Sequence, residues 1–250
     1  LSPEFLWLVA AGTWRTVAMA TAGITLGLLL AVPLTLVATR ALSVSALSGL
    51  AQLKSVGPLV WVIALSSLAQ FIVHSSWVLF TSFKFGWGPA QNGWSLFTVG
   101  LMSVFVQGFL LKHLLKRFAP HKLAVMGLTA SSLTYLGFGL ASEGWMMFIV
   151  IIVGTVLGGG AAAVIQSQVS NAADPRSQGQ TMGSVSALNS LMAVMAPVIA
   201  ASLLGLVSHR PKGDWLIGLP FYFCACLQII GTVIAFRHFR RQRALANAPA

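Results

Sequence analysis

The sequence predicts an all-α integral membrane protein with about seven transmembrane helices, and three observations carry that prediction. The 250 residues are 57% hydrophobic and only 8% charged. Their apolar residues come in long unbroken runs, not in the alternating or helical-face patterns that give a soluble domain one wet and one dry side. The few charges fall outside those runs. Together these exclude a soluble globular domain and make lipid the solvent of this chain.

The runs are legible in order. The first, 16 to 39, reads TVAMATAGITLGLLLAVPLTLVAT. Gly23 and Gly27, four apart, form a small-residue seam, and Pro33 implies a kink. The others cover about 57 to 80, 93 to 111, 123 to 142, 145 to 168, 182 to 206 and 215 to 236. At about 1.5 Å of rise per residue, each can cross the roughly 30 Å hydrocarbon core of a bilayer. The run beginning at Trp145 is the most distinctive. It predicts one continuous helix whose second half carries Gly158, Gly159 and Gly160, then Ala161, Ala162 and Ala163. In lipid no hydrophobic effect drives helices together, so such small residues mark where another backbone comes close. A local ion pair between Asp174 and Arg176 shapes the next loop. The connection RALSVSALSGLAQLKSVG, after the first run, is the predicted domain boundary, dividing 1–52 from 53–243, with a tail at 244–250.

Basic residues outnumber acidic ones 15 to 4. In a soluble protein that would suggest nucleic acid, but here the bases flank apolar runs, the pattern of positive-inside bias and contact with anionic headgroups. No nucleic-acid partner is expected. Alternating the loops gathers Arg40, Lys54, the Lys112 to Lys122 cluster, Arg176 and the tail on one side. That side is cytoplasmic by the positive-inside rule, which puts the N-terminus outside and the C-terminus inside a bacterial-type inner membrane. Trp14, Trp87, Trp94, Trp145 and Trp215 then gather at the outer ends of spans, at headgroup level. No basic n-region of a cleavable signal peptide precedes the first run. Cys224 and Cys226, two apart on a helix, point to different faces and predict neither a mutual disulfide nor a closed metal site.

No His-Glu-x-x-His, phosphate-cradling loop, Gly-x-Ser-x-Gly or carboxylate cluster occurs, and the four acidic residues all lie outside spans. Acid-base and metal catalysis have little to work with, so an enzyme is not expected, and neither is a cofactor or a metal.

From about residue 53 onward several motifs occur in a telling order: SSWVLFTSFKFGW from Ser75, VQGFLLKHLLKRFAPHK from Val106, EGW at Glu143, the triple glycine, Gln178-Gly179 with Gly183, and Pro197. In this order and spacing the chain resembles the C-terminal half of a major facilitator superfamily transporter, of the tetracycline-efflux type of drug:proton antiporter. The resemblance implies six helices forming one half of a major-facilitator fold, built from two three-helix units. It implies proton-driven efflux of a small amphipathic molecule through alternating access, with a site between two rocking halves. Since it covers one half only, it also implies a fused or truncated transporter, inactive alone, that needs itself or a separate N-terminal half as partner. Residues 10 to 45 resemble something else, the first core helix of a phosphonate-type ABC transporter permease, but no ATPase-coupling loop with Glu-Ala-Ala comes after them. An ABC permease subunit and a non-transporting membrane scaffold stay open as alternatives.

Candidate substrate-path residues are His74, Gln70, Trp77, Ser103, Gln107, Gln166 and Asn189. A titratable histidine inside a span faces a cavity or a partner, and His74 can bind substrate or respond to protons near neutral pH. Its bland counterpart is a neutral ring bonded to a neighbouring helix. The glutamines and Asn189 can hydrogen-bond a drug at mid-depth or serve as interhelical glue worth about 0.6 kcal/mol each. The resemblance puts a proton-linked histidine of the tetracycline-efflux family where this chain has Ser103. Lys116, Arg117 and Lys122 occupy the basic turn that braces the inner gate in facilitators, where they serve either gating or positive-inside anchoring. Lys112 and Ala119 stand where that motif has glycines, so a tight turn with positive φ would be strained at Ala119.

Overall fold

The computed structural model describes residues 57–172, 178–211 and 213–246, which belong to one compact unit, Gly49–Ala250. The predicted first span at 16 to 39, the boundary at 52/53, the permease-like segment, Trp14 and the Asp174–Arg176 loop lie outside the described residues.

Among the described residues, six helical spans are long and apolar enough to cross a membrane. α1 is Gly57–Phe85, and the second span joins α2, Pro89–Phe105, to α3, Leu111–Arg117, through a π-helical turn, Val106–Leu110. α4 is Pro120–Leu140. The fourth span is α5, Gly144–Gly158, followed by α6, Ala161–Ala172. α7, Gln178–Val207, carries Pro197 inside it, and α8, Leu219–Ala246, comes after a short 3₁₀ turn, Trp215–Gly218.

The helices run past several predicted limits, α1 to Phe85 and α8 into the predicted tail as far as Ala246. Lys84 and the arginines of α8 are good helix formers, and a backbone leaving the hydrocarbon layer has no reason to stop hydrogen bonding. α1 ends where Gly86 adopts φ +68, with Gly86 N–H donating to Ser82 O, the single bond of an αL cap, and Trp87 N–H donating further back to Thr81 O. The predicted strain at Ala119 is absent, because that residue is extended, at φ −61 and ψ 139. Pro120 comes next, and a proline pushes the residue before it out of the helical region, so the basic turn needs no glycine there.

The contacts have an internal symmetry. The first span packs on the fifth and sixth as the fourth packs on the second and third, and the third packs on the sixth. Exchanging the two triplets of spans maps this pattern onto itself, which is the architecture of half a major-facilitator fold.

Small residues set the closest approaches. Along α4 and the fourth span, a Cβ at Gly127 would stand 2.7 Å from that of Ala161, and one at Gly158 would stand 2.8 Å from the Ser131 hydroxyl. Gly154 meets Thr134 in the same way. The triple glycine therefore does bring two spans together, but the helix is not continuous there. It loosens into a turn at Gly159 and Gly160, where two adjacent glycines make helical geometry costly.

Core and lipid-facing surfaces are both apolar. An aromatic knot at one end of the bundle joins Trp77 and Phe80 of α1, Phe138 of α4 and Phe221 of α8, with ring centroids 4.6 to 6.4 Å apart. Outside, Trp94, Phe97, Leu101 and Phe105 of α2 and Val194 and Val198 of α7 are exposed. Side chains of this kind suit a lipid solvent and would be a large apolar patch in water. Trp94, Trp145 and Trp215 are exposed, as an interfacial indole should be, but Trp87 is only 9% exposed, between Phe85 and Phe148, so it packs the bundle and does not anchor it.

The turn between α1 and α2 is closed by a buried polar set. The Thr81 hydroxyl lies 2.8 Å from Asn92 Oδ1, and Trp77 Nε1 donates to Ser95 Oγ at 3.0 Å. Replacing Thr81 with valine leaves the Asn92 carbonyl buried without a donor, and is expected to lower stability by about 2 kcal/mol in a denaturation series in detergent. Cys224 and Cys226 are free, the first buried and the second exposed, on different faces of α8.

Candidate functional site

α1 is the wall around which the interior polar groups collect. Ser67, Gln70, His74 and Trp77 recur on it at spacings of three and four, the spacing that puts side chains on one face of a helix. That face lines a cavity of about 470 Å³. The opposite walls come from α2 with Ser103, α4 with Ser131 and Tyr135, α5 and α6 with Thr155 and Gln166, α7 with Asn189 and α8 with Gln228.

A hydrogen-bonded chain crosses the cavity wall. The Tyr135 hydroxyl donates to Gln70 Oε1 at 3.1 Å, and Gln70 Nε2 lies 3.4 Å from His74 Nε2. An amide can only donate to that ring nitrogen while the nitrogen carries no proton. If it is protonated, both atoms become donors and the amide must turn over, which brings its NH₂ against the tyrosine hydroxyl. The orientation of the Gln70 amide thus follows whether His74 Nε2 carries a proton. Elsewhere in the wall, Ser67 Oγ donates to Asn189 Oδ1 at 2.7 Å, tying α1 to α7. Among the described residues, no Asp, Glu, Lys or Arg lines the cavity.

Six of the seven residues singled out from sequence therefore border one space: Gln70, His74, Trp77, Ser103, Gln166 and Asn189. Trp77 contributes a ring edge, its indole N–H being held by Ser95. Gln107 does not join them. It sits exposed in the π-helical turn and is absent from the lining, because the extra residue of a π turn rotates the next residues out of register. Lys116 and Arg117, at the end of α3, and Lys122, in the first turn of α4, lie outside the cavity.

Sequence reasoning missed Tyr135 and Gln228. Both carried a signal: Tyr135 is one of only two tyrosines, in the predicted run 123 to 142 that otherwise lacks large polar side chains, and Gln228 interrupts CACLQIIG as Gln70 interrupts its own run.

Multiple spans, a cavity between them walled by apolar and uncharged polar groups, and two triplets related by exchange define a multi-pass, internally repeated membrane helix bundle. The sequence profile of the Major Facilitator Superfamily matches residues 5–197 and again 59–250, and the chain belongs to that family. The first match runs through the segment that resembles an ABC permease. Curated relatives include the class C tetracycline resistance protein of Escherichia coli, 29% identical over 173 residues, which are 69% of this chain and 43% of that protein. The class D protein of Salmonella ordonez is 30% identical over 172 residues, 68% of this chain and 43% of that protein. The class B protein of Escherichia coli is 31% identical over 151 residues, 58% of this chain and 36% of that protein. The chain spans about two fifths of the length of these relatives.

Proposed function

We propose that these residues form one six-helix bundle of a secondary transporter that exports a small, amphipathic, drug-like molecule, driven by a proton gradient. The supporting observation is the cavity. Its volume of about 470 Å³ suits a drug-sized ligand. Its apolar walls would take the ligand's body, and Gln70, Asn189 and Gln166 would take its hydrogen-bonding groups. A site without formal charge favours a ligand that enters neutral or zwitterionic, since an unpaired ion would meet a full desolvation penalty there.

Proton coupling fits the Tyr135–Gln70–His74 chain. Protonating the imidazole turns the Gln70 amide over and so changes which groups face the ligand. This supplies a coupling device at a different place from the helix position where Ser103 stands. The bundle is oriented with its C-terminus cytoplasmic, which puts Lys112, Lys116, Arg117 and Lys122 beside the inner leaflet. Alternating access needs a second bundle to rock against, so these residues alone insert without transporting.

Tetracycline is the natural test ligand, since the relatives are named for resistance to it. Its accumulation is measured in cells making this chain alone and in cells also making the N-terminal half of the class C relative, with and without an uncoupler. Uncoupler-sensitive efflux in the paired arm supports the reading, and no efflux in either arm contradicts it. In the active arm, Gln70→Leu removes both bonds of the chain and is expected to cut efflux about tenfold, the equivalent of one hydrogen bond of about 1.4 kcal/mol.

A further inference from the structure

Gln228 is the large polar side chain that α8 contributes to the cavity wall, and the bonds described above do not use it. It is 2% exposed, and its Oε1 is sealed from solvent without a hydrogen-bond partner. Its neighbours fix its level. One turn earlier Cys224 Sγ donates to Ala69 O at 3.3 Å, and nearly one turn later a Cβ at Gly231 would stand 4.0 Å from Ser66 Oγ. Gln228 therefore meets α1 between Ser66 and Ala69. Ser66 Oγ is also buried and also without a partner, and both residues line the cavity. Two buried polar groups on facing helices without a protein partner cost stability unless something that enters the cavity satisfies them. Interhelical glue would have paired them with each other or with backbone, as Ser67 is paired with Asn189.

We propose that Gln228, with Ser66 beside it, is a ligand-binding subsite of the cavity that is satisfied only when a molecule is bound. A half-turn about the last side-chain torsion presents either end of the carboxamide to the cavity, so the group both donates and accepts. The ligand chemistry that matches is an adjacent neutral donor and acceptor, such as an amide or a hydroxy-ketone edge. This rests on the transport reading above, which it deepens by assigning the hydrogen-bonding end of the substrate to the α1–α8 wall.

The test uses the full chain purified in detergent, with tetracycline as the ligand, measuring equilibrium binding and thermal unfolding of wild type, Gln228→Leu and Gln228→Glu. Leucine removes the unpaired group while keeping most of the volume, so the expected result is binding about tenfold weaker with unfolding unchanged or at a higher temperature. Glutamate keeps a donor and an acceptor only while its carboxyl is protonated, so its binding should weaken as pH rises while that of wild type does not, and equal pH dependence of the two would count against the subsite. Wild-type affinity in Gln228→Leu overturns the subsite. So does a loss of binding matched by a lowered unfolding temperature, because the glutamine would then be a packing element. Wild type that binds no tetracycline, from a chain that exports it in the paired cells, overturns the subsite alone, whereas no export in the paired cells sinks the transport reading and the subsite with it, so the two failures are told apart.

Discussion

Phe221→Ala is expected to destabilise the bundle by about 3 kcal/mol, measured by unfolding in mixed detergent. Phe221 is fully buried and touches the rings of Trp77, Phe80 and Phe138, with centroids at 6.4, 4.6 and 5.8 Å. It thus joins α1, α4 and α8. Large aromatic-to-alanine changes cost about 3 to 5 kcal/mol in water-soluble cores. The lower end applies here because the unfolded reference is solvated by lipid or detergent chains as apolar as the core, so the transfer contribution cancels and the cavity and lost packing remain. Phe221→Leu, which refills most of the space, is expected to cost less than half as much. Equal effects of the two would mean the knot is not close-packed.

Gly218→Ala is expected to cost as much, about 3 kcal/mol, by adding one carbon instead of removing several. A Cβ at Gly218 would stand 2.6 Å from both Cα and O of Gly139, so a main chain must move. Gly139→Ala, at the other side of the same contact, is expected to cost less. Its added carbon would strike the ring of Tyr222, which is partly exposed and can swing aside at the loss of its bond to Trp215 O. Overpacking costs about 1 to 3 kcal/mol where side chains can yield, and backbone yields least. The same unfolding assay tests the order, and a Gly139→Ala variant less stable than Gly218→Ala would reverse the account of that contact.

The spans were legible because lipid thickness fixes how long an apolar run must be, whatever it packs against. What the sequence hid was the facing of each helix. In water a helix shows its buried side by apolar periodicity, but here Val198, exposed on the outside of the bundle, and Ile151, only 1% exposed, are chemically alike. Only polar interruptions mark an inward face, and that signal found Gln70, Gln166 and Asn189. It failed at Gln107 because the π turn at Val106–Leu110 shifts the register, and no residue there announces such a turn. Glycines in a row disclosed a close approach, yet not that Gly159 and Gly160 would also loosen their own helix. The Tyr135–Gln70–His74 chain needs α1 and α4 to face the same cavity, a placement that only the tertiary structure supplies.

The central claim is that lipid surrounds these six spans while a water-reachable cavity, apolar with a few polar groups, lies inside them. Single cysteines, introduced after Cys224 and Cys226 are replaced by alanine, test it with a membrane-impermeant thiol reagent on protein in vesicles. The account predicts labelling at positions 70 and 189 and none at the lipid-facing positions 101, 198 and 230. Labelling of the outward positions as readily as the inward ones would contradict it.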